Sequence, residues 1–236
     1  MDITQAIRER HSVRSFTDRE IPKDIRDQLE AEILRCNAAG NLSIRLVCDE
    51  AEAFDSTMAR YGKFDNVRNY LVLAGPPSEG LEQRCGYYGE RLVLLAQQLG
   101  LNTCWVAVTF KKRHVKKMLG ERDKLVVVIA LGYGTTQGSP HKVKRAEDVC
   151  AVPAGSTAPA WFSSGVESAL LAPTAVNQQR FLIELTGGSD EEGRPVVALT
   201  GKGGAYSEID LGIVRLHFEA GVAGASGSFS WDRPLR

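Results

Sequence analysis

One order of predicted elements occurs twice in this chain, and this repeat limits its fold more than any other feature. Each copy runs helix, polar loop, strand, strand and long helix, and a glycine follows each predicted long helix. Any α/β protein alternates helices and strands, but an asparagine shared after each first helix favours a true repeat. The first copy comprises helices 25–34 and 88–99 with strands 44–48 and 69–74, and the second comprises helices 166–171 and 209–220 with strands 181–185 and 196–200.

The N-terminus carries a cluster of hydrogen-bond donors directly after a short amphipathic helix. Ile3, Ala6 and Ile7 share one face of this predicted helix, and the segment Arg10-His11-Ser12-Val13-Arg14 follows it. Two guanidinium groups and a hydroxyl within five residues suit a phosphate or the carbonyl-rich edge of a ring. The segment is therefore a candidate site for an anionic or polar ligand.

A second polar segment follows the predicted helix 166–171. It reads Ala172-Pro173-Thr174-Ala175-Val176-Asn177-Gln178-Gln179. Pro173 ends the helix, and the threonine and amide side chains supply neutral donors and acceptors just before strand 181–185. These groups could hold a ligand, or they could cap a loop.

Together these segments resemble the nitroreductase family of FMN-dependent oxidoreductases. The family's N-terminal signature, Arg-x-Ser-x-Arg with an aromatic residue and Thr-Asp, is matched by Arg10, Ser12, Arg14, Phe16, Thr17 and Asp18. Its second motif, Ala-Pro-Ser-x-x-Asn-x-Gln-Pro, is matched by Ala172, Pro173, Asn177 and Gln179, with Thr174 and Arg180 as substitutions. Residues 100–107 are similar to the family's Gly-Leu-Gly-Thr-Cys-Trp-Ile-Gly turn.

The resemblance implies an α+β nitroreductase-like fold, in which helices flank a mainly antiparallel sheet. Homodimers of the family build each flavin site from both subunits, whereas the TM nitroreductase subgroup imitates such a dimer within one chain. The repeat is similar to this subgroup. We therefore expect a pseudo-dimer with an N-terminal lobe at 1–150 and a C-terminal lobe at 151–236 that form one compact unit, linked through 135–161. Further association of such pseudo-dimers is left open.

The same resemblance implies one FMN site, with no side chain needed as a catalyst because the flavin carries the chemistry. Arg14 is expected at the N1–C2 edge of the ring, Arg10 and Ser12 toward the phosphate and ribityl chain, and the second motif against the ring from the other lobe. Lys144 and Arg145 could contact the phosphate or could be solvated linker charges. The complete set of expected FMN-binding residues is Arg10, His11, Ser12, Arg14, Lys63, Lys144, Arg145, Pro173, Thr174, Ala175, Asn177 and Gln178.

The implied activity is reduction of a small electron-poor acceptor, such as a nitroaromatic or a quinone, by NAD(P)H in a ping-pong cycle. A flavin-dependent reductase of other chemistry, such as dehalogenation, is one alternative. A flavin-binding protein without catalysis, for example a redox sensor, is the other.

Composition narrows the classes of partner. The 29 basic and 29 acidic residues cancel, so we expect no nucleic-acid or membrane partner, and the basic run 111–117 is interpreted as a solvated face. The five cysteines are widely spread without metal-ligand spacing, which predicts reduced thiols, no metal site and a cytoplasmic protein. No apolar stretch of the N-terminal residues suits a signal peptide.

Overall fold

The computed structural model describes residues 1–235, which form seven α-helices and two four-stranded sheets. The helices are α1 (Ile3–Glu9), α2 (Lys23–Gly40), α3 (Thr57–Tyr61), α4 (Leu81–Gln98), α5 (Lys112–Lys116), α6 (Ala160–Leu170) and α7 (Ser207–Gly224). The strands are β1 (Arg45–Val47), β2 (Asn69–Gly75), β3 (Asn102–Val106), β4 (Lys124–Gly132), β5 (Cys150–Ala151), β6 (Phe181–Ser189), β7 (Pro195–Gly201) and β8 (Ser230–Trp231). Within this part of the chain no helix has the length and apolarity that crossing a membrane requires.

The first sheet has the order β1-β2-β4-β3, and every pair in it is antiparallel. Side chains alternate across the central strand β2, as the two-residue period of a strand requires. Leu71 and Leu73 pack in the main core with α4, whereas Tyr70 and Val72 pack on the opposite face with Phe54. Both faces of this sheet are therefore covered.

The second sheet has the order β5-β6-β7-β8. Its central pair β6–β7 is antiparallel, and each edge strand pairs in parallel with its neighbour. Ile183 and Val197 project from the central pair into the same main core that receives Leu71 and Leu73. One core therefore joins the two sheets and the helices α4, α6 and α7.

The two long helices α4 and α7 pack backbone to backbone where they cross. A Cβ atom at Gly86 would lie 2.1 Å from the carbonyl oxygen of Ile209, and one at Gly212 would lie 2.0 Å from that of Gln83. Gly86 and Gly212 are 126 positions apart in the sequence, and so are Gln83 and Ile209. The same distance separates the first residue of β2 from the first residue of β7. The repeat of the sequence is therefore also a repeat of the packing.

The predicted order of elements is confirmed, but several predicted boundaries are wrong. Helix α2 does not end at Leu34; it continues through the stretch predicted as a loop to Gly40, which packs against the Tyr88 ring, and only Asn41 turns into the left-handed region. Helix α4 begins at Leu81, seven residues before the predicted start, because Gly86 and Gly89 lower its sequence signal. Gly86 is needed where α4 crosses α7, and Gly89 makes room for Leu73 and Trp105. Strand β5 lies within the predicted linker 135–161.

The five cysteines are all unpaired. Burial raises the pKa of Cys36 and of Cys85 to about 12, so these two thiols are protonated and unreactive at neutral pH. They serve as small apolar groups of the core.

The crossing of α4 and α7 yields a first prediction. In the variant Gly212→Ala, the new methyl group would meet the Gln83 carbonyl oxygen at 2.0 Å, so the helices must separate. We expect a loss of about 2 kcal/mol or more in the free energy of unfolding, measured by urea denaturation.

Gly188→Ala is the control for this variant. The nearest neighbour of its new methyl group is the Thr186 hydroxyl at 3.5 Å, an ordinary contact, so the change should stay within about 0.5 kcal/mol. Equal stability of the two variants would contradict the close crossing.

Candidate functional site

A cavity of about 820 Å³ opens between the two halves of the chain. Its walls come from the N-terminal segment after α1, the end of β3 with the residues that follow, the loop after α6 and the first turns of α7. Nine of the twelve residues expected from the sequence to bind FMN line it, namely Arg10, His11, Ser12, Arg14, Pro173, Thr174, Ala175, Asn177 and Gln178.

The N-terminal segment reaches the cavity because it lies along strand β3. Ser12 forms a parallel bridge with Thr103, and the Val13 amide donates to the Thr103 carbonyl oxygen at 3.0 Å. Val13 is buried beneath this contact, so Ser12 and Arg14, on either side of it, are directed to the cavity. The alternation of an extended segment thus explains the Arg-x-Ser-x-Arg spacing.

Arg10 and Arg14 form a cationic wall with few internal partners. The Nε atom of Arg10 is buried without a hydrogen bond, and its nearest carboxylate oxygen, on Glu90, is 3.8 Å away. Arg14 is exposed and makes no ion pair with any carboxylate among residues 1–235; its guanidinium carbon lies 6.0 Å from the Phe64 ring centroid. This wall can therefore accept an anionic or carbonyl-rich ligand.

His11 continues the cationic wall as a neutral group. Burial lowers its pKa, the positive charge of Arg10 lowers it further, and His141 lies near enough to add to this effect. At neutral pH the ring can therefore both donate and accept a hydrogen bond. It adds a polar contact to the cavity without a third full charge.

Apolar side chains form another wall of the cavity. It is formed by Trp105 and Val106 at the end of β3 and by Ile209 and Ile213 on α7. Cys104 lies at the base of this wall, where burial raises the pKa of its thiol and keeps it protonated. A flat apolar ring system with polar edges would match such a pair of walls.

The loop after α6 approaches the cavity in a strained conformation. Val176 has φ 45°, and Asn177 and Gln179 are also left-handed, at 55° and 45°. For a β-branched residue this conformation is unfavourable, yet the Val176 side chain is 97% exposed and has no packing to compensate.

Hydrogen bonds from outside the loop hold this conformation. The Asn177 amide donates to the Lys142 carbonyl oxygen at 2.8 Å, and Gln179 donates to the same oxygen at 2.8 Å. The Gln179 amide oxygen in turn accepts from the Lys144 backbone at 2.9 Å. The fold thus fixes the Pro173–Gln178 segment at the cavity at a cost in backbone strain.

Asp210, in the first turn of α7, is a cavity residue that the sequence analysis missed. Its carboxylate accepts from the Ala175 amide at 2.9 Å and from the Gln178 side-chain amide at 2.7 Å, although only 7% of the residue is exposed. Burial raises its pKa to about 6, and the two donors oppose this shift. From the sequence it is only one acidic residue in a first helical turn, a common feature without a ligand.

Three expected FMN-binding residues do not line the cavity. Lys63 lies between two cavity residues but does not itself contribute to the wall. The Lys144 ammonium group donates to the Gln179 carbonyl oxygen at 2.8 Å and so supports the strained loop. Arg145 is exposed and pairs with Glu147 and Asp148.

Comparisons with known proteins agree with this architecture. The family described as "Putative TM nitroreductase" matches residues 2–222. A crystal structure of a "putative nitroreductase" from Thermotoga maritima is 22% identical, with a TM-score of 0.64, over 94% of this chain and 83% of that one. Among proteins of curated function, none matches the sequence.

Shorter relatives match about two thirds of the chain. A "Putative NADH dehydrogenase/NAD(P)H nitroreductase" from Bacteroides thetaiotaomicron is 22% identical, with a TM-score of 0.50, over 62% of this chain and 95% of that one. A nitroreductase family protein from Streptococcus pneumoniae is 16% identical, with a TM-score of 0.50, over 63% and 98%. These likenesses show the nitroreductase-like fold.

The burial of Asp210 yields a prediction about pH. The pKa of Asp210 is about 6 in the folded state and 3.8 in its ordinary state, so the folded protein binds this proton more tightly than the unfolded chain does. The stability that this proton contributes is lost as the pH rises through about 6. Asparagine has no such proton. The free energy of unfolding of Asp210→Asn, relative to the unmodified protein, should therefore increase by roughly 2 to 3 kcal/mol from about pH 4 to pH 7.

Urea denaturation of the ligand-free proteins at several pH values measures this difference. Asp148→Asn is the control, because the hydrogen bond from Arg145 lowers the pKa of Asp148 and the trend should reverse. If the free energies of unfolding of Asp210→Asn and of the unmodified protein change in parallel with pH, Asp210 is not buried as a carboxyl group.

Proposed function

Because the chain belongs to the TM nitroreductase family, we propose that it is an FMN-dependent oxidoreductase that uses NAD(P)H to reduce a small electron-poor acceptor. The observation that carries the proposal is the meeting of two distant segments at one cavity. Residues 10–14 supply its cationic wall, and Pro173 to Gln178 approach it from the other half of the chain. Neither segment alone encloses a ligand.

The residues present fit FMN on their own chemistry. Arg10 presents a buried guanidinium whose Nε atom has no hydrogen-bond partner, which suits a phosphate group. Trp105, Val106 and Ile209 offer an apolar surface for a flat ring. Arg14 lies exposed at the same cavity, where a polar ring edge would meet its charge.

In this assignment, Arg10 and Ser12 would hold the phosphate and ribityl chain, and Arg14 would hold the pyrimidine edge of the ring. His11 would add a neutral hydrogen bond, and the loop with Asn177 would enclose the ring from the other half. Lys63, Lys144 and Arg145 would need to move to reach the ligand, so we assign them no contact.

When bound, FMN would supply the redox chemistry by accepting a hydride from the nicotinamide and passing electrons to the acceptor. The protein supplies position and charge. Arg14 would favour negative charge at a ring edge beside it, and the apolar wall would exclude water from the bound ring. The exposed Val176 lies at the cavity, where an acceptor would enter.

The two halves of the chain together correspond to a pseudo-dimer in this proposal. Arg10, Ser12 and Arg14 occur only in the first half, and Pro173 with Asn177 only in the second. A single chain therefore contains both parts of one flavin site, and a monomer is competent. We also propose that the protein acts in the cytoplasm, where its five unpaired cysteines would stay reduced.

A non-catalytic flavin-binding protein is the alternative, and one experiment separates the two. Under anaerobic conditions, NADH or NADPH should bleach the visible absorbance of the FMN-loaded protein, and menadione or a nitroaromatic should restore it. The oxidation of NAD(P)H and the return of the absorbance should occur in separate half-reactions.

Photoreduction of the same sample is the control, because it shows that the bound flavin can be reduced at all. A flavin that photoreduces but does not respond to either nicotinamide cofactor would favour a storage or sensing protein. A protein that binds no flavin would contradict the proposal as a whole.

A further inference from the structure

A buried cluster of ionisable groups lies behind the cationic wall, outside the cavity itself. Glu90 on α4 and His217 on α7 are both 0% exposed, and they face each other across the central helix pair. The Glu90 carboxylate also accepts from the Trp105 indole at 2.8 Å and lies 3.8 Å from the Arg10 Nε atom. Glu90 therefore contacts two residues that line the cavity.

Both ring nitrogens of His217 face hydrogen-bond acceptors. The Nε2 atom lies 2.9 Å from a Glu90 carboxylate oxygen, and the Nδ1 atom lies 3.1 Å from the Ser168 carbonyl oxygen. A neutral imidazole has only one N–H, so one nitrogen lone pair would be directed at an oxygen lone pair. Because both side chains are fully buried, that contact is strongly unfavourable.

The surroundings of the pair favour a protonated ring. Ser168 lies in the last turn of α6, where carbonyl oxygens carry the negative end of the helix dipole. The Trp105 N–H donates to the Glu90 carboxylate at 2.8 Å, and the Arg10 Nε atom lies 3.8 Å from the same carboxylate. Among the residues described, no other carboxylate contacts this cluster.

We infer that His217 is an imidazolium whose charge cancels that of Glu90, so that the positive charge of Arg10 stays available to an anionic ligand in the cavity. Without His217, the Glu90 carboxylate 3.8 Å from the Arg10 Nε atom would have no second cation beside it and would offset the charge of Arg10. His217, in the second half of the chain, is thus a positioning residue that acts through Glu90 on Arg10 in the first half. The inference about ligand binding rests on the proposed flavin site.

The first test measures protonation directly and needs no ligand. In the ¹⁵N NMR spectrum of the flavin-free protein at pH 7, both His217 nitrogens should carry a proton, and the signals should be assigned by their loss in His217→Gln. A His217 ring with one unprotonated nitrogen would overturn the inference.

The second test compares FMN with riboflavin, which lacks the phosphate group. In His217→Gln, the glutamine can still donate to Glu90 but cannot cancel its charge, so FMN affinity should fall about tenfold while riboflavin affinity changes much less. In the double variant Glu90→Gln with His217→Gln, the uncompensated carboxylate is gone. FMN affinity should return to within about threefold of the unmodified protein.

His114→Gln is the matched control, because His114 lies outside the cavity with Glu50 and Glu52. Equal losses for FMN and riboflavin, or a double variant weaker than His217→Gln alone, would overturn the electrostatic role. If the unmodified protein binds neither flavin, the proposed function fails, whereas the NMR result still decides the protonation of His217.

Discussion

The close crossing of α4 and α7 is the contact on which the rest of the structure depends. Gly86 and Gly212 allow the two backbones to meet without intervening side chains. This contact fixes α7 so that Ile209 and Asp210 reach the cavity that the N-terminal segment enters from the other half. A wider crossing would move those residues away from Arg10 and open the cavity to water.

Three features of the cavity are unfavourable for the stability of the folded chain. Val176 is held in a left-handed conformation, the Asp210 carboxylate is buried with a raised pKa, and the Arg10 Nε atom lacks a hydrogen bond. Each feature is unfavourable in the folded chain without a ligand. The meeting of all three at one cavity is typical of a binding site.

Local sequence patterns predicted much of this arrangement. The spacing of Arg10, Ser12 and Arg14 identified the cationic wall, and the proline stop at Pro173 identified the opposing loop. The order of elements also followed from hydrophobic periodicity. These features were accessible because each is encoded within about ten neighbouring residues.

The remaining features depend on contacts between distant residues. Glu90 and His217 are 127 positions apart, and Asp210 meets Ala175 across 35, so no local pattern reveals either contact. The true length of α4 was hidden for a related reason. Gly86 weakens the helix signal locally, and its purpose becomes visible only when Ile209 is placed against it.

Native mass spectrometry of the FMN-loaded protein tests most directly whether the two halves of one chain build one flavin site. The method reports the number of chains and of flavins in the same ion. We expect a single chain that carries one FMN, because the cationic segment and the proline loop meet only once. Two flavins on one chain, or flavin found only on dimers, would contradict it.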